Sequence, residues 1–118
     1  MAGGYLTTHV LDTARGCPAR SLKILLWRIT DAGRLCVGEA ITNADGRTDA
    51  PILAEADFQT GIYELEFHAG DYLERFGHPS SPRFLDVIPI RFGMSEADSH
   101  YHVPLLLSPF GYSTYRGS

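Results

Sequence analysis

The sequence predicts an all-β protein, an antiparallel sandwich of short strands with one small helix. Three observations carry that reading. Segments with two-residue alternation of apolar and polar side chains dominate the chain, and clusters of Gly, Pro, Asn, Asp and Ser separate them. Seven or eight such segments fit within 118 residues, the spacing of a sandwich or barrel and too close for intervening crossover helices. Length alone points to one domain spanning residues 1–118.

The first strand is expected over residues 5–12, with Tyr5, Thr7, His9 and Leu11 on one face and Leu6, Thr8 and Val10 on the other. A turn over 14–20 carries Gly16 and Pro18. Residues 22–31, rich in Leu and Ile and holding Trp27, form a second strand. Ala32-Gly33 then turns tightly into a third over 34–42. Asn43-Ala-Asp-Gly46 is a turn signal, because Asn and Asp bond their own backbone and Gly accepts a positive φ. That turn delivers Arg47 at the start of a short extended piece limited by Pro51. Residues 61–68 alternate cleanly, Tyr63, Leu65 and Phe67 against Glu64, Glu66 and His68, as a half-buried strand does. The only helix is expected over 70–76, followed by a Pro/Ser loop over 77–83. Strands over 84–92, 101–108 and 112–116 complete the set. Pro89 and Pro104 each remove a ladder donor, which predicts edge strands or bulges at those positions.

Composition narrows the function classes. Hydrophobic residues at 44% and charged residues at 20% are ordinary globular values and argue against intrinsic disorder. Ten Lys+Arg against 14 Asp+Glu give a formal charge of −4, and the basic residues are scattered, so a nucleic-acid partner is not expected. No apolar run approaches the ~20 residues a membrane span needs, and the N-terminus lacks a secretory pattern. A cytoplasmic protein without a membrane partner is therefore the expectation. Cys17 and Cys36 stand 19 positions apart without a C-x-x-C and read as reduced packing thiols. Phosphate-binding, dinucleotide-binding, nucleophile-elbow and zincin motifs are missing. A chain this short buries only about two-thirds of its unfolded surface, so self-association would benefit it.

Five histidines remain for chemistry. His68 and His78 read as solvated surface groups. His9 shares an uncharged strand face with Tyr5, Thr7 and Leu11, and is either a hydrogen-bonded core-edge residue or a working one. His100 and His102 form H-x-H, which puts both imidazoles on one strand face. That is half of a metal site, for which His9 or a carboxylate would be the third ligand, or simply a polar face. Arg47 is always ionised and can fork onto planar oxygen or nitrogen edges. The alternating pattern of the last strand runs to Ser118 with no polar tail, as though that end were docked.

Three pieces of the chain together resemble one family. They are L-T-T-H-V-L-D (6–12) with G-C-P-A (16–19), T-N-A-D-G-R (42–47), and H-Y-H-V-P-L-L-L-S-P (100–109) leading into G-Y-S-T-Y-R-G-S (111–118). The resemblance is to the transthyretin-like 5-hydroxyisourate hydrolases, enzymes of urate degradation, and it covers essentially the whole chain. The terminal Y-R-G-S separates these hydrolases from the hormone-carrying transthyretins of the same fold. It implies a transthyretin-like β-sandwich assembled as a homotetramer, with active sites at the interface between dimers. It implies hydrolytic ring opening of 5-hydroxyisourate to 2-oxo-4-hydroxy-4-carboxy-5-ureidoimidazoline, with no cofactor and no metal. Position by position, the functional histidines fall on His9 and His102, the arginine on Arg47, and the terminal motif on Tyr115, Arg116, Gly117 and Ser118. His100 is not among the family's principal residues.

Residue chemistry agrees with that implication. Ring opening needs an attacking water, a group to take its proton, and positive charge where the carbonyl oxygen becomes anionic. A histidine beside Arg47 or Arg116 stays neutral and able to accept a proton. In this scheme His102 or His9 activates water while the other orients it. Arg47 binds substrate and stabilises the oxyanion, Tyr115, Arg116 and Gly117 hold the substrate's polar edge, and Ser118 contributes a hydroxyl. The sequence does not divide base from orienter. Two other readings stand beside it: a non-catalytic transthyretin-type carrier of a small aromatic ligand, and a metal-dependent enzyme using His9, His100 and His102.

Overall fold

The computed structural model describes residues 3–77 and 79–117, so His78 and Ser118 lie outside the described residues. Eight strands and one helix follow in the order β1 (Tyr5–Asp12), β2 (Cys17–Pro18), β3 (Lys23–Thr30), β4 (Gly33–Ile41), β5 (Gly61–His68), α1 (Ala69–Arg75), β6 (Val87–Met94), β7 (His100–Ser108) and β8 (Gly111–Thr114). They form two four-stranded sheets, β2-β1-β7-β8 and β4-β3-β5-β6. The sheets face each other across one apolar cluster that includes Leu6, Val10, Ile24, Leu26, Tyr63, Leu65, Phe67, Leu105 and Leu107. The all-β sandwich expected from the alternation is the observed architecture.

Alternation explains which faces are buried. Along β1 the odd-numbered side chains stay partly exposed and the even-numbered ones are buried, as the sequence pattern requires. β5 repeats the pattern, with Tyr63, Leu65 and Phe67 inward and the carboxylates outward. On that outer face His68 is not a free surface group. Its Nε2 lies 2.9 Å from Glu66 Oε2, and Trp27 Nε1 donates to Glu66 Oε1 at 3.1 Å. Cys36 is exposed, so the expected packing role holds for neither face of β4 at that position.

Three features differ from the sequence expectation. First, β1 and β7 run parallel, while every other ladder is antiparallel. Second, Pro89 lies in the edge strand β6 as expected, but Pro104 sits in β7, an interior strand. Pro104 is tolerated because β8 pairs only from Leu105 onward, so its missing N–H falls just past the end of that ladder. There the Thr114 hydroxyl donates to the Pro104 carbonyl at 2.8 Å. Third, β6 begins at Val87, later than the alternation suggested. The residues ahead of it are tied to the helix instead: Gly70 N–H donates to the Asp86 carbonyl at 2.8 Å, and Arg83 bridges Asp71, Glu74 and Asp86.

The helix is short and depends on docking for its stability. Ala69, Gly70, Tyr72 and Leu73 are buried beneath it. The Tyr72 hydroxyl donates to the buried Asp12 at 2.8 Å, and burial together with that carboxylate pushes its phenol up to about 12. This bond pins the helix to the last residue of β1, the strand that carries the functional face described next.

Candidate active site

The parallel register between β1 and β7 builds the floor of a cleft. Tyr5 lies opposite His100, Thr7 opposite His102, and His9 opposite Pro104. All these side chains project outward, because the neighbouring positions Leu6, Thr8, Tyr101 and Val103 are turned into the sandwich and buried. The result is a row of polar and aromatic rings across two adjacent strands. Tyr5 stacks on His100 with centroids 4.1 Å apart and planes 9° from parallel. Thr7 Oγ1 lies 2.7 Å from His100 Nε2 and 2.7 Å from His102 Nδ1.

One wall is the segment following the Asn43–Gly46 turn. Asn43 Oδ1 accepts the N–H of Asp45 at 2.9 Å and of Arg47 at 3.2 Å, the self-bonding that its side chain makes possible. Gly46 has φ +74°, and a Cβ there would collide with the Val10 carbonyl, which accepts nothing larger than hydrogen at that spot. The Val10 N–H in turn donates to the Gly46 carbonyl at 2.8 Å. The turn is thereby sewn to β1, and Arg47 bridges directly to His9. A cleft of about 350 Å³ lies between this wall and the floor, lined by Tyr5, Thr7, Arg47, Asp49, His100 and His102 among others.

Two contacts fix the histidine rings. His9 Nε2 lies 2.9 Å from the Asp45 carbonyl, which can only accept, so Nε2 carries the proton and Nδ1 the lone pair of the neutral ring. His102 has Thr7 at Nδ1, and its Cδ2 edge rests on Gly117, where a Cβ would come within 2.5 Å of that carbon. The Gly117 N–H donates to the His102 carbonyl at 2.7 Å. His9 and His102 stand 6.5 Å apart, centroid to centroid.

Electrostatics keep both rings neutral. Burial lowers the His9 pKa below the ordinary 6.5 and the Arg47 guanidinium adds to it, against the opposing pull of Asp45. Burial is also the first cause for His102, followed by the positive charges of Arg47, His100 and His9. A neutral imidazole next to a permanent cation is a proton acceptor beside an oxyanion binder.

The structure thus brings together His9, Arg47, His102 and Gly117. It does not bring Tyr115 and Arg116 into the same cleft. They line a separate opening of about 330 Å³ at the edge of the sandwich, with Ile90, Phe92 and Tyr101, and Arg116 lies 4.3 Å over the Tyr101 ring. Ser118 is outside the described residues. As for a metal, no three His, Cys, Asp or Glu side chains converge among the described residues, and the H-x-H pair spends one nitrogen of each ring on Thr7. Thr7 and Tyr5 escaped the sequence reading. Their outward face was visible, but their position opposite the histidines depends on a parallel pairing that alternation cannot reveal.

Comparison with known proteins agrees with this geometry. A family model described as HIUase/Transthyretin family matches residues 6–117. A 5-hydroxyisourate hydrolase of Mesorhizobium japonicum is 61% identical over 117 residues, covering 98% of this chain and 94% of that protein. The structure of Klebsiella pneumoniae 5-hydroxyisourate hydrolase superposes with a TM-score of 0.81 at 35% identity, covering 100% of both chains. An (S)-allantoin synthase superposes with a TM-score of 0.92 at 48% identity over 99% of this chain, which spans only 44% of that longer protein.

Because Arg47 adds to burial in lowering both imidazoles, Arg47→Ala will raise the pKa of both His9 and His102 toward ordinary values. Histidine-resolved NMR titration measures this, and unchanged His9 and His102 midpoints would contradict it.

Proposed function

The chain belongs to the HIUase/Transthyretin family, and on that premise we propose that it is a 5-hydroxyisourate hydrolase acting as a single domain over residues 1–118. The observation that carries the proposal is the grouping of His102 and Arg47 on one cleft, with His9 bridged to Arg47 and 6.5 Å from His102, and both imidazoles held below their ordinary pKa. Relatives 59% and 61% identical over nearly their whole length bear that activity in their names.

Each group has a task set by its chemistry. A neutral imidazole accepts a proton from water as the oxygen attacks a ring carbonyl of the substrate. Arg47, fixed by the turn, faces the oxygen on which charge develops, where a preorganised donor is worth about 10²–10³ in rate. General base catalysis contributes a further ~10²–10⁴. The tetrahedral centre then collapses with cleavage of the ring C–N bond, and the departing nitrogen takes back the proton held by the imidazole. No cofactor or metal enters the scheme.

One subunit leaves the pocket open, and we attribute its completion to assembly as a homotetramer, with sites at the interface between dimers. Support comes from exposed apolar and aromatic side chains along the chain's end. Phe110 is 76% exposed, Tyr115 59% and Tyr112 46%. The strands β6 and β8 end their sheets unpaired in the single chain, and such edges invite pairing with another copy. In an assembly, Tyr115 and Arg116 of one subunit reach the polar edge of substrate held by another. A cytoplasmic location suits the reading, and no helix among the described residues is long and apolar enough to cross a membrane.

The test is decay of 5-hydroxyisourate, generated freshly by urate oxidase and followed by its ultraviolet absorbance beside a spontaneous-decay control. The chain will accelerate decay, chelator will not slow it, and His9→Asn, His102→Asn and Arg47→Ala will each lower kcat/KM at least ~10²-fold while keeping the native mass. Decay no faster than the control would contradict the proposal. Activity per subunit will also fall on dilution in step with loss of the tetramer by light scattering, and a fully active monomer would refute the shared site.

A further inference from the structure

His100 and Thr7 have no part in the scheme above, yet they are bonded to one of its histidines. A threonine hydroxyl owns one proton, so with a ring nitrogen 2.7 Å away on each side it donates to one imidazole and accepts an N–H from the other. The two rings therefore take complementary roles at Thr7: where His102 Nδ1 is the donor, His100 Nε2 is the acceptor and both neutral rings carry their proton on Nδ1, and in the reverse arrangement both carry it on Nε2. His100 cannot turn away from this bond without losing its stack on Tyr5 at 4.1 Å. His102 is held on the opposite side by Gly117, which leaves Nε2 as the ring nitrogen available to the cleft that His102 lines.

Resting on the hydrolase reading, we propose that Thr7 relays a proton from His102 to His100, making His102 the general base and His100 the group that stores the proton during ring opening. The step balances. Water loses a proton to His102 Nε2 as its oxygen bonds to the substrate carbonyl carbon. The His102 Nδ1–H bond breaks as that proton passes to Thr7 Oγ1, and the Thr7 O–H proton passes to His100 Nε2. No electrons move between centres. The reverse sequence returns the proton to the departing ring nitrogen. The advantage is electrostatic: positive charge formed at His102 would sit beside Arg47, and the relay moves it one residue pair along the strand, onto a ring stacked against Tyr5.

His9 has no equivalent path. Its Nε2–H points at the Asp45 carbonyl, an acceptor that cannot pass a proton on. With that tautomer fixed, His9 offers a lone pair at Nδ1 that can orient water or a substrate N–H. Thr7 and His100 are positioning residues in this account, since both act through His102.

Kinetics of the assembled protein will test the relay. Thr7→Val, which keeps the side-chain shape, will lower kcat about 10²-fold with KM changed less than about threefold, and Thr7→Ser will recover kcat to within about threefold. His100→Gln will lower kcat comparably, and the double variant with Thr7→Val will be no slower than either single one, because both interrupt one path. The acid limb of the kcat profile will move in Thr7→Val and not in Thr7→Ser. The groups facing His102 that could contribute are His9 on β1, Arg47 and Asp49 on the cleft wall, and His100 beside it.

A readout independent of turnover separates this proposal from the hydrolase reading. Imidazole ¹⁵N shifts in the native protein will show His102 and His100 both as Nδ1–H tautomers, and Thr7→Val will remove that correlation. Native kcat in Thr7→Val, a loss confined to KM, or either ring carrying its proton on Nε2 would overturn the relay while leaving hydrolase activity intact. A native protein that does not accelerate 5-hydroxyisourate decay, yet shows both rings as Nδ1–H tautomers, would overturn the hydrolase reading and with it the catalytic use of the pair.

Discussion

Everything at the cleft depends on the parallel pairing of β1 with β7. Eight consecutive residue pairs lock the two strands, from Tyr5 opposite His100 to Asp12 opposite Leu107. Side chains on a strand alternate with period two, so a slip of one residue would turn His102 into the core and Tyr101 onto the surface. Burial prevents that slip. Leu6 and Val10 on β1 and Leu105 and Leu107 on β7 have no exposed surface and would all be expelled by it. The apolar core thus sets the position of the outward face that carries Thr7, His100 and His102, with its 2.7 Å contacts at Thr7.

The same economy governs the charges. Among the described residues lining the cleft, Arg47 alone is a permanent cation, and it follows the Asn43–Gly46 turn, whose Asn43 side chain and Gly46 conformation leave little freedom. Burial first, and the nearness of Arg47 second, make an imidazolium unfavourable at both His9 and His102. With a small chain, the substrate cannot be enclosed by one subunit. The functional face is the outer surface of a sheet, and in the proposed assembly a neighbouring copy supplies the roof.

Much of this was legible in the sequence, and the limits are physical. Alternation located β1, β3, β4, β5 and β7 to within a residue or two, and the clean pattern of 61–68 matched β5 completely. The Asn43–Gly46 signal gave the turn that delivers Arg47, because that chemistry is local. His9, Arg47, His102 and the terminal motif came from resemblance to known hydrolases; Arg47 and His102 line one cleft, and His9 is bridged to Arg47 beside it. Pairing direction is not local, which is why Thr7 remained invisible and why Pro104 was expected at an edge or bulge when it lies in an interior strand. The terminal residues show the same limit: Tyr115 and Arg116 carry the family's motif but line a different opening in the single chain, and only the proposed assembly would give them a part in the site.

Where the substrate sits is the claim on which the account turns, and it can be measured directly. Urate, a stable purine relative of the proposed substrate, titrated into the ¹⁵N-labelled assembled protein, will shift the resonances of Thr7, Arg47, His100 and His102 and leave the Arg83 cluster and the outer face of β5 unmoved. Shifts confined to those distant surfaces, or none at saturating urate, would contradict the placement of the active site between β1, β7 and the Arg47 turn.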